Sequence, residues 1–545
     1  MRGRRGIRAA CFSGILLLGI AMVLFFGTQK QGFHEDELYS YYSSNRTAGL
    51  FTPDNTWVDT AEITAEFTVL PAERFRYGLV HTVQSWDVHP PLYYDLLHTA
   101  CSLTPGLFSK WQGIAVNLAA YIAVFFLLFL ILRECRLSFR LRALFLLVWA
   151  VHPLTVSAAM FIRMYLWLTV WVLACLLLHL RLLRGMTKLR MAGVMAVNFL
   201  GFLTHYYYVI WLFFTALTVC VFWFLQKTED TEATEMSTRL MRILRYGLCH
   251  AASLAACVLI YPACLRHILR GYRGQEAVGA FFSVGDWGRR IAFFGGLLND
   301  YLFSGTLPVF LFLFIVLALA GGRRDRRFKL STILVAVPAG GYFLVVSETA
   351  LLLGNTSNRY LMPVDPLFLL LFISAGDYLL TRFLSGLKTM GGEPTKKSLF
   401  VNRIVRATLR FLYAGLLLFI VARGLFAEDH VLFLYPENRA AVGTARANRD
   451  IPAIVLYNEE TPDNIWRLYD KLSCFPRLYF VNAAGEEPVP ADALPDSEDW
   501  YVFAADTADN ADRDRRLSEL MRLGSGHGTK EFVMRDAMWT WYRLR

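Results

Sequence analysis

Residues 2–41 read RGRRGIRAACFSGILLLGIAMVLFFGTQKQGFHEDELYSY, and the order of features in this stretch decides the class of fold. Arg2, Arg4, Arg5 and Arg8 precede an apolar run from Cys11 to Gly27, and Glu35-Asp36-Glu37 follows it closely. The run is about 17 residues, enough to cross the hydrocarbon core of a bilayer. Basic residues in front of such a run hold its start in the cytoplasm. No small-x-small cleavage signal follows Phe26-Gly27-Thr28-Gln29-Lys30, so the stretch reads as an uncleaved signal anchor. Its carboxylates emerge on the far face, where their desolvation is costly enough to require open water or a function.

The rest of the 545-residue chain follows the same pattern: 55% hydrophobic, 15% aromatic and only 18% charged, with a mean hydropathy of +0.39. A soluble chain of this size rarely carries such values. Further apolar runs fall at about 112–132, 143–161, 165–182, 191–204, 207–225, 246–264, 303–320, 330–350, 360–380 and 407–426, giving about 11 transmembrane helices. The net charge of +11 does not point to nucleic acid, because the basic residues sit in short clusters between runs. With the N-terminus inside, the basic loops 133–142, 181–190, 226–245, 321–329 and 381–406 all fall on the cytoplasmic side. The opposite turns, at 161–165, at His205 and at 354–360, are nearly free of basic residues. Leu92 to Leu103 is too short to span and is expected to lie in the interface as a helix launched by Pro90-Pro91.

Three parts are then exported: a first loop at 28–112, a middle loop at 265–302 and a C-terminal region at 427–545. In the last, 453–457, 478–481 and 500–503 read as buried strands separated by helices at 463–472 and 512–523. That alternation predicts a separate exported α/β domain on a small parallel sheet, without a glycine-rich phosphate loop. The expected division is a transmembrane domain over 1–426 and an exported domain over 427–545. Nine cysteines, mostly inside apolar runs, do not form a disulfide framework.

The residues able to do chemistry gather at exported helix ends: Asp36-Glu37 with Tyr39, then Trp86-Asp87-Val88-His89-Pro90-Pro91-Leu92-Tyr93-Tyr94, Arg163-Met164-Tyr165, Thr204-His205-Tyr206-Tyr207 and Asn358-Arg359-Tyr360-Leu361-Met362-Pro363. Asp87 and His89 offer a carboxylate and an imidazole usable by a divalent cation, though a loop-to-helix cap accounts for them as well and the sequence requires no metal. Arg163 and Arg359 fit phosphate as readily as they fit snorkelling to headgroups. Arg266, Arg270, Arg273, Arg289 and Arg290 of the middle loop fit contacts to membrane lipid headgroups, or to a phosphate, with the headgroup reading preferred.

Four of these motifs, in this order, resemble the GT-C glycosyltransferases that include protein O-mannosyltransferases and bacterial aminoarabinose transferases. They are Asp36-Glu37 after the first membrane helix, His89 to Tyr94, Arg163 to Tyr165, and Arg359-Tyr360 with Pro363. The resemblance covers residues 1 to about 426. It implies transfer of a sugar from a polyprenyl-phosphate donor to a lipid, glycan or protein acceptor at the outer face of the inner membrane, usually with inversion. Under it, Asp36 is the expected base and Glu37 its support, and Arg163, His205, Arg359, Tyr165 and Tyr360 are expected at the donor phosphate. Asp87, His89, Tyr39 and Tyr93 are expected around the acceptor. The alternative, a secondary transporter or flippase, would place charge near the midplane in repeated broken helices; this chain keeps most of its charge at helix ends and shows no repeat.

Overall fold

The computed structural model describes residues 2–46, 52–226, 232–320, 329–389, 396–459, 464–494, 497–507, 510–523, 528–536 and 538–545. The basic loop expected at 321–329 lies outside them except for Lys329. The chain forms two compact units, one of residues 1–27, 84–93 and 114–432 and one of 28–83, 94–113 and 433–545. This division departs from the one expected at 426/427, because most of the first loop packs with the C-terminal region.

The first unit is a polytopic bundle of membrane helices. Eight helices are long and apolar enough to cross: Gly6–Gln29, Lys110–Glu134, Tyr165–Leu182, Tyr208–Leu225, Met236–Ile260, Leu330–Thr349, Asp365–Leu384 and Arg403–Phe426. Two bent pairs raise the number to ten among the described residues: Phe139–Ala150 with Pro153–Met160 at 49°, and Val284–Leu302 with Leu307–Ala320 at 87°. The expected eleventh is the helix Lys188–Thr204, whose 17 residues give about 25 Å of rise. The first bend has a plain cause. Pro153 lacks an N–H for the helical ladder, and His152 caps the new helix by accepting the Leu154 N–H through Nδ1.

Along Tyr208–Leu225, Trp211, Leu212, Thr215 and Val219 face protein while Phe213, Leu217, Val221 and Phe224 are exposed. Both faces must be apolar, since one meets other helices and the other meets lipid. Polar contacts join the spans: His179 to the Tyr246 hydroxyl at 2.8 Å, Asn198 Nδ2 to His250 at 2.7 Å, and the Tyr208 hydroxyl donating to Asn198 Oδ1 at 2.9 Å.

The second unit is built on a six-stranded sheet of β1 (Thr56–Asp59), β2 (Ala453–Tyr457), β3 (Arg477–Asn482), β4 (Trp500–Ala505), β5 (Lys530–Asp536) and β6 (Trp539–Leu544), ordered β1-β3-β2-β4-β6-β5. The three strands expected from the sequence are its parallel centre, β3-β2-β4. They are almost wholly buried, as strands covered on both faces must be. The sheet is mixed rather than parallel: β1 pairs antiparallel with β3, β6 with β4, and β5 with β6. β1 comes from the first loop, which explains its place in this unit. The short helix expected at the interface forms over Leu92–Leu103. All nine cysteines are free of disulfides.

Candidate active site

Within the membrane unit, four loops supply a continuous polar and aromatic cluster. The segment before Pro90-Pro91 brings Asp87 and His89, with Asp87 Oδ2 at 2.9 Å from His89 Nδ1. Arg163 lies in the turn between helices Pro153–Met160 and Tyr165–Leu182, and its Nη2 donates to His89 Nε2 across 3.3 Å. That turn is held by Asn117, whose Nδ2 donates to the carbonyls of Ala159 at 3.2 Å and Phe161 at 2.6 Å. His205 closes helix Lys188–Thr204, and its ring stands 6.2 Å from His89 and 5.6 Å from Tyr165. Tyr360 then meets Tyr165 at 5.8 Å and Tyr207 at 6.1 Å between ring centroids. The Arg359 guanidinium lies 5.1 Å from the Tyr360 ring centre and 5.8 Å from that of Phe161.

The proton positions follow from these bonds. Arginine only donates, so His89 Nε2 accepts and its Nδ1–H donates to Asp87. Burial works to raise the Asp87 carboxyl, but His89 and then Arg163 outweigh it and hold the group below the usual carboxylate range. Burial, reinforced by His89 and Arg163, pushes His205 well below the ordinary imidazole value. Neutral His205 accepts the Tyr207 N–H at Nδ1, 3.0 Å away, so its proton sits on Nε2 and that nitrogen is a donor. Arg163 and Arg359 are each only 4% exposed.

His267, on the short helix Ala263–Leu269, extends this cluster: Nε2–H donates to the Ser85 carbonyl at 3.2 Å and Nδ1 accepts from the Tyr206 hydroxyl at 2.8 Å. Sequence reading passed over His267 and Asn117, since a lone histidine among arginines and an asparagine inside an apolar run carry no pattern. Tyr93 is fully buried on its helix. Among the described residues no three His, Cys, Asp or Glu side chains stand together as metal ligands, so Asp87 and His89 supply at most two.

The acidic motif belongs to the second unit and opens the helix Glu35–Asn45. His34 caps it by accepting the Asp36 N–H, while Glu37 reaches back to the His34 N–H at 2.6 Å. The three carboxylates differ sharply. Glu35 is paired with Arg467. Glu37 has no exposure and binds Lys30 at 2.9 Å, and Lys30 also donates to the Phe433 carbonyl at 2.7 Å. Burial lowers the Lys30 ammonium, with Glu37 opposing that shift. Asp36 keeps 27% exposure, with His34 Nδ1 at 3.5 Å. Tyr39 and Tyr42 pack on Trp466, at 5.3 Å and 4.3 Å.

No protein-family model and no curated protein matches the sequence. Solved structures are similar to it. ArnT from Cupriavidus metallidurans bound to undecaprenyl phosphate has 14% identity and a TM-score of 0.47, over 97% of this chain and 98% of that one. The same protein in the apo state has 15% identity and a TM-score of 0.46 over the same shares. The oligosaccharyltransferase AglB from Archaeoglobus fulgidus, in complex with an inhibitory peptide and a dolichol-phosphate, has 12% identity and a TM-score of 0.44, over 88% of this chain and 65% of that one.

Proposed function

We propose that this chain is a membrane glycosyltransferase that moves a sugar from a polyprenyl-phosphate donor to a lipid, glycan or protein acceptor. The observation that carries the reading is the cluster of Asp87, His89, Arg163, Tyr165, His205, Arg359 and Tyr360, drawn from four stretches far apart in sequence. Two buried guanidinium forks match phosphate oxygens, and the His205 Nε2–H and the tyrosine hydroxyls add neutral donors. Such preorganised donors stabilise the charge that grows on a departing phosphate.

Transfer with inversion then takes one displacement. The acceptor oxygen attacks the anomeric carbon, the bond from that carbon to the phosphate oxygen breaks with its electrons leaving on phosphate, and the acceptor proton passes to a carboxylate. Asp36 is the proposed base. It keeps 27% exposure near the start of its helix, whereas Glu37 is buried against Lys30 and acts by fixing the helix start. Asp87 and His89 orient Arg163 and border the acceptor. In this reading the chain lies in the inner membrane with its N-terminus in the cytoplasm, and the cluster and the sheet unit face outward, as the basic loops indicate.

Incubating the purified protein with a panel of polyprenyl-phosphate sugars and an envelope extract as acceptor tests the proposal. Loss of sugar from one donor supports it. A transporter would leave every donor chemically intact.

A further inference from the structure

Two amides flank the polar cluster in the chain, and both side chains are shut away from water with no hydrogen-bond partner among the described residues. Asn358 is 0% exposed and neither Oδ1 nor Nδ2 has a partner. It directly precedes Arg359 in the turn Gly354–Tyr360. Gln84 is likewise 0% exposed with Oε1 and Nε2 both unmet. Its carbonyl accepts the Asp87 N–H at 3.1 Å, which places it one turn before the Asp87–His89 pair.

Folded chains satisfy the great majority of buried polar atoms, and other amides of this unit keep at least one bond. Asn117 donates to two carbonyls, and Asn198 bonds both His250 and Tyr208. Among the described residues, Asn358 and Gln84 are the amides with both ends unmet, and both lie in segments that supply the cluster. A carboxamide presents a donor and an acceptor together. A phosphate, which only accepts, would use half of each; a hydroxyl both donates and accepts and would use all of it.

On the donor-binding reading above, we propose that Asn358 and Gln84 recognise hydroxyl groups of the sugar, while Arg163 and Arg359 hold the phosphate. A site built to bond a hydroxyl rejects a ligand that lacks it far more strongly than an apolar pocket could. The two amides are thus the determinants that separate the loaded carrier from the bare one.

The test uses the full chain in nanodiscs, with undecaprenyl phosphate and undecaprenyl phosphate carrying mannose, glucose or aminoarabinose as probes. Asn358→Leu and Gln84→Met keep nearly the same volume without the amide, and Asn358→Ser is a smaller second variant. The expected result is unchanged affinity for undecaprenyl phosphate, about tenfold or greater loss of affinity for the sugar-bearing lipid that wild type prefers, and no fall in melting temperature. A lower melting temperature with unchanged preference would overturn the proposal, because the amides would then serve the fold through internal water. Wild type binding all the loaded lipids no better than the bare one would overturn it while leaving phosphate binding standing. Wild type binding none of the probes would remove the donor-binding reading itself.

Discussion

Arg163 donates to the imidazole of His89 across 3.3 Å, and that bond fixes which way the histidine points its proton. With Nε2 accepting, Nδ1–H is committed to Asp87 at 2.9 Å. A carboxylate, an imidazole and a guanidinium from two distant loops therefore act as one rigid unit.

Asp87→Asn should weaken that unit. The charge-assisted bond to His89 is worth about 1.5–3 kcal/mol, so donor turnover should fall roughly 10- to 100-fold with expression intact. Asp87 is held below the ordinary carboxylate range, so its stabilising contribution is present above the unfolded value of about 3.9 and fades only as pH falls through its lower folded value. Melting temperatures measured from pH 5 to 8 should show no step from this group. A step there that disappears in the Asn variant would contradict the assignment.

His205 should behave as a neutral donor across the same range, since its folded value lies well below the usual imidazole value. His205→Asn, which keeps an N–H, should retain more turnover than His205→Phe, and neither should move the acid limb of the pH–rate profile. A shifted limb in both variants would show that the imidazole titrates during catalysis.

Asp36→Asn removes the proposed base with little change of shape. General-base catalysis contributes on the order of 100- to 10,000-fold, and turnover should drop by about that factor while donor binding persists. Near-normal turnover in this variant, with Glu35→Gln inactive, would move the base within the helix.

The Lys30–Glu37 pair makes a separate prediction about stability. Lys30→Met leaves Glu37 buried without its cation and should cost about 3–5 kcal/mol, read as a lower melting temperature. Adding Glu37→Leu should recover part of that loss, since two apolar groups are easier to bury than one lone charge. No recovery would show that Glu37 matters chiefly through its bond to the His34 N–H.

What the sequence disclosed follows the strength of each local signal. Parallel strands buried on both faces are continuous apolar runs, so β2, β3 and β4 were legible; β5, whose short apolar run is flanked by Lys530, Glu531, Arg535 and Asp536, and β1, four residues inside a long loop, were not. Apolar length marks a membrane segment but not its straightness, which is why the bends at His152 and after Leu302 appear only in three dimensions. The residues that the membrane unit gathers into one polar cluster, from Asp87 to Tyr360, each stand in a short motif and were legible as candidates. Lys30 read as one more charge beside a span, and only its burial against Glu37 and the Phe433 carbonyl shows that it locks the start of the acidic helix.

The central claim is that Arg163 and Arg359 bind the phosphate of a lipid-linked donor, and equilibrium binding of undecaprenyl phosphate to purified protein tests it most directly. Arg163→Ala and Arg359→Ala should each weaken binding at least about tenfold, as expected for loss of a charge-assisted bond of about 1.5–3 kcal/mol, with Lys at either position restoring only part because it lacks the planar fork. Wild-type affinity in both alanine variants would contradict the account.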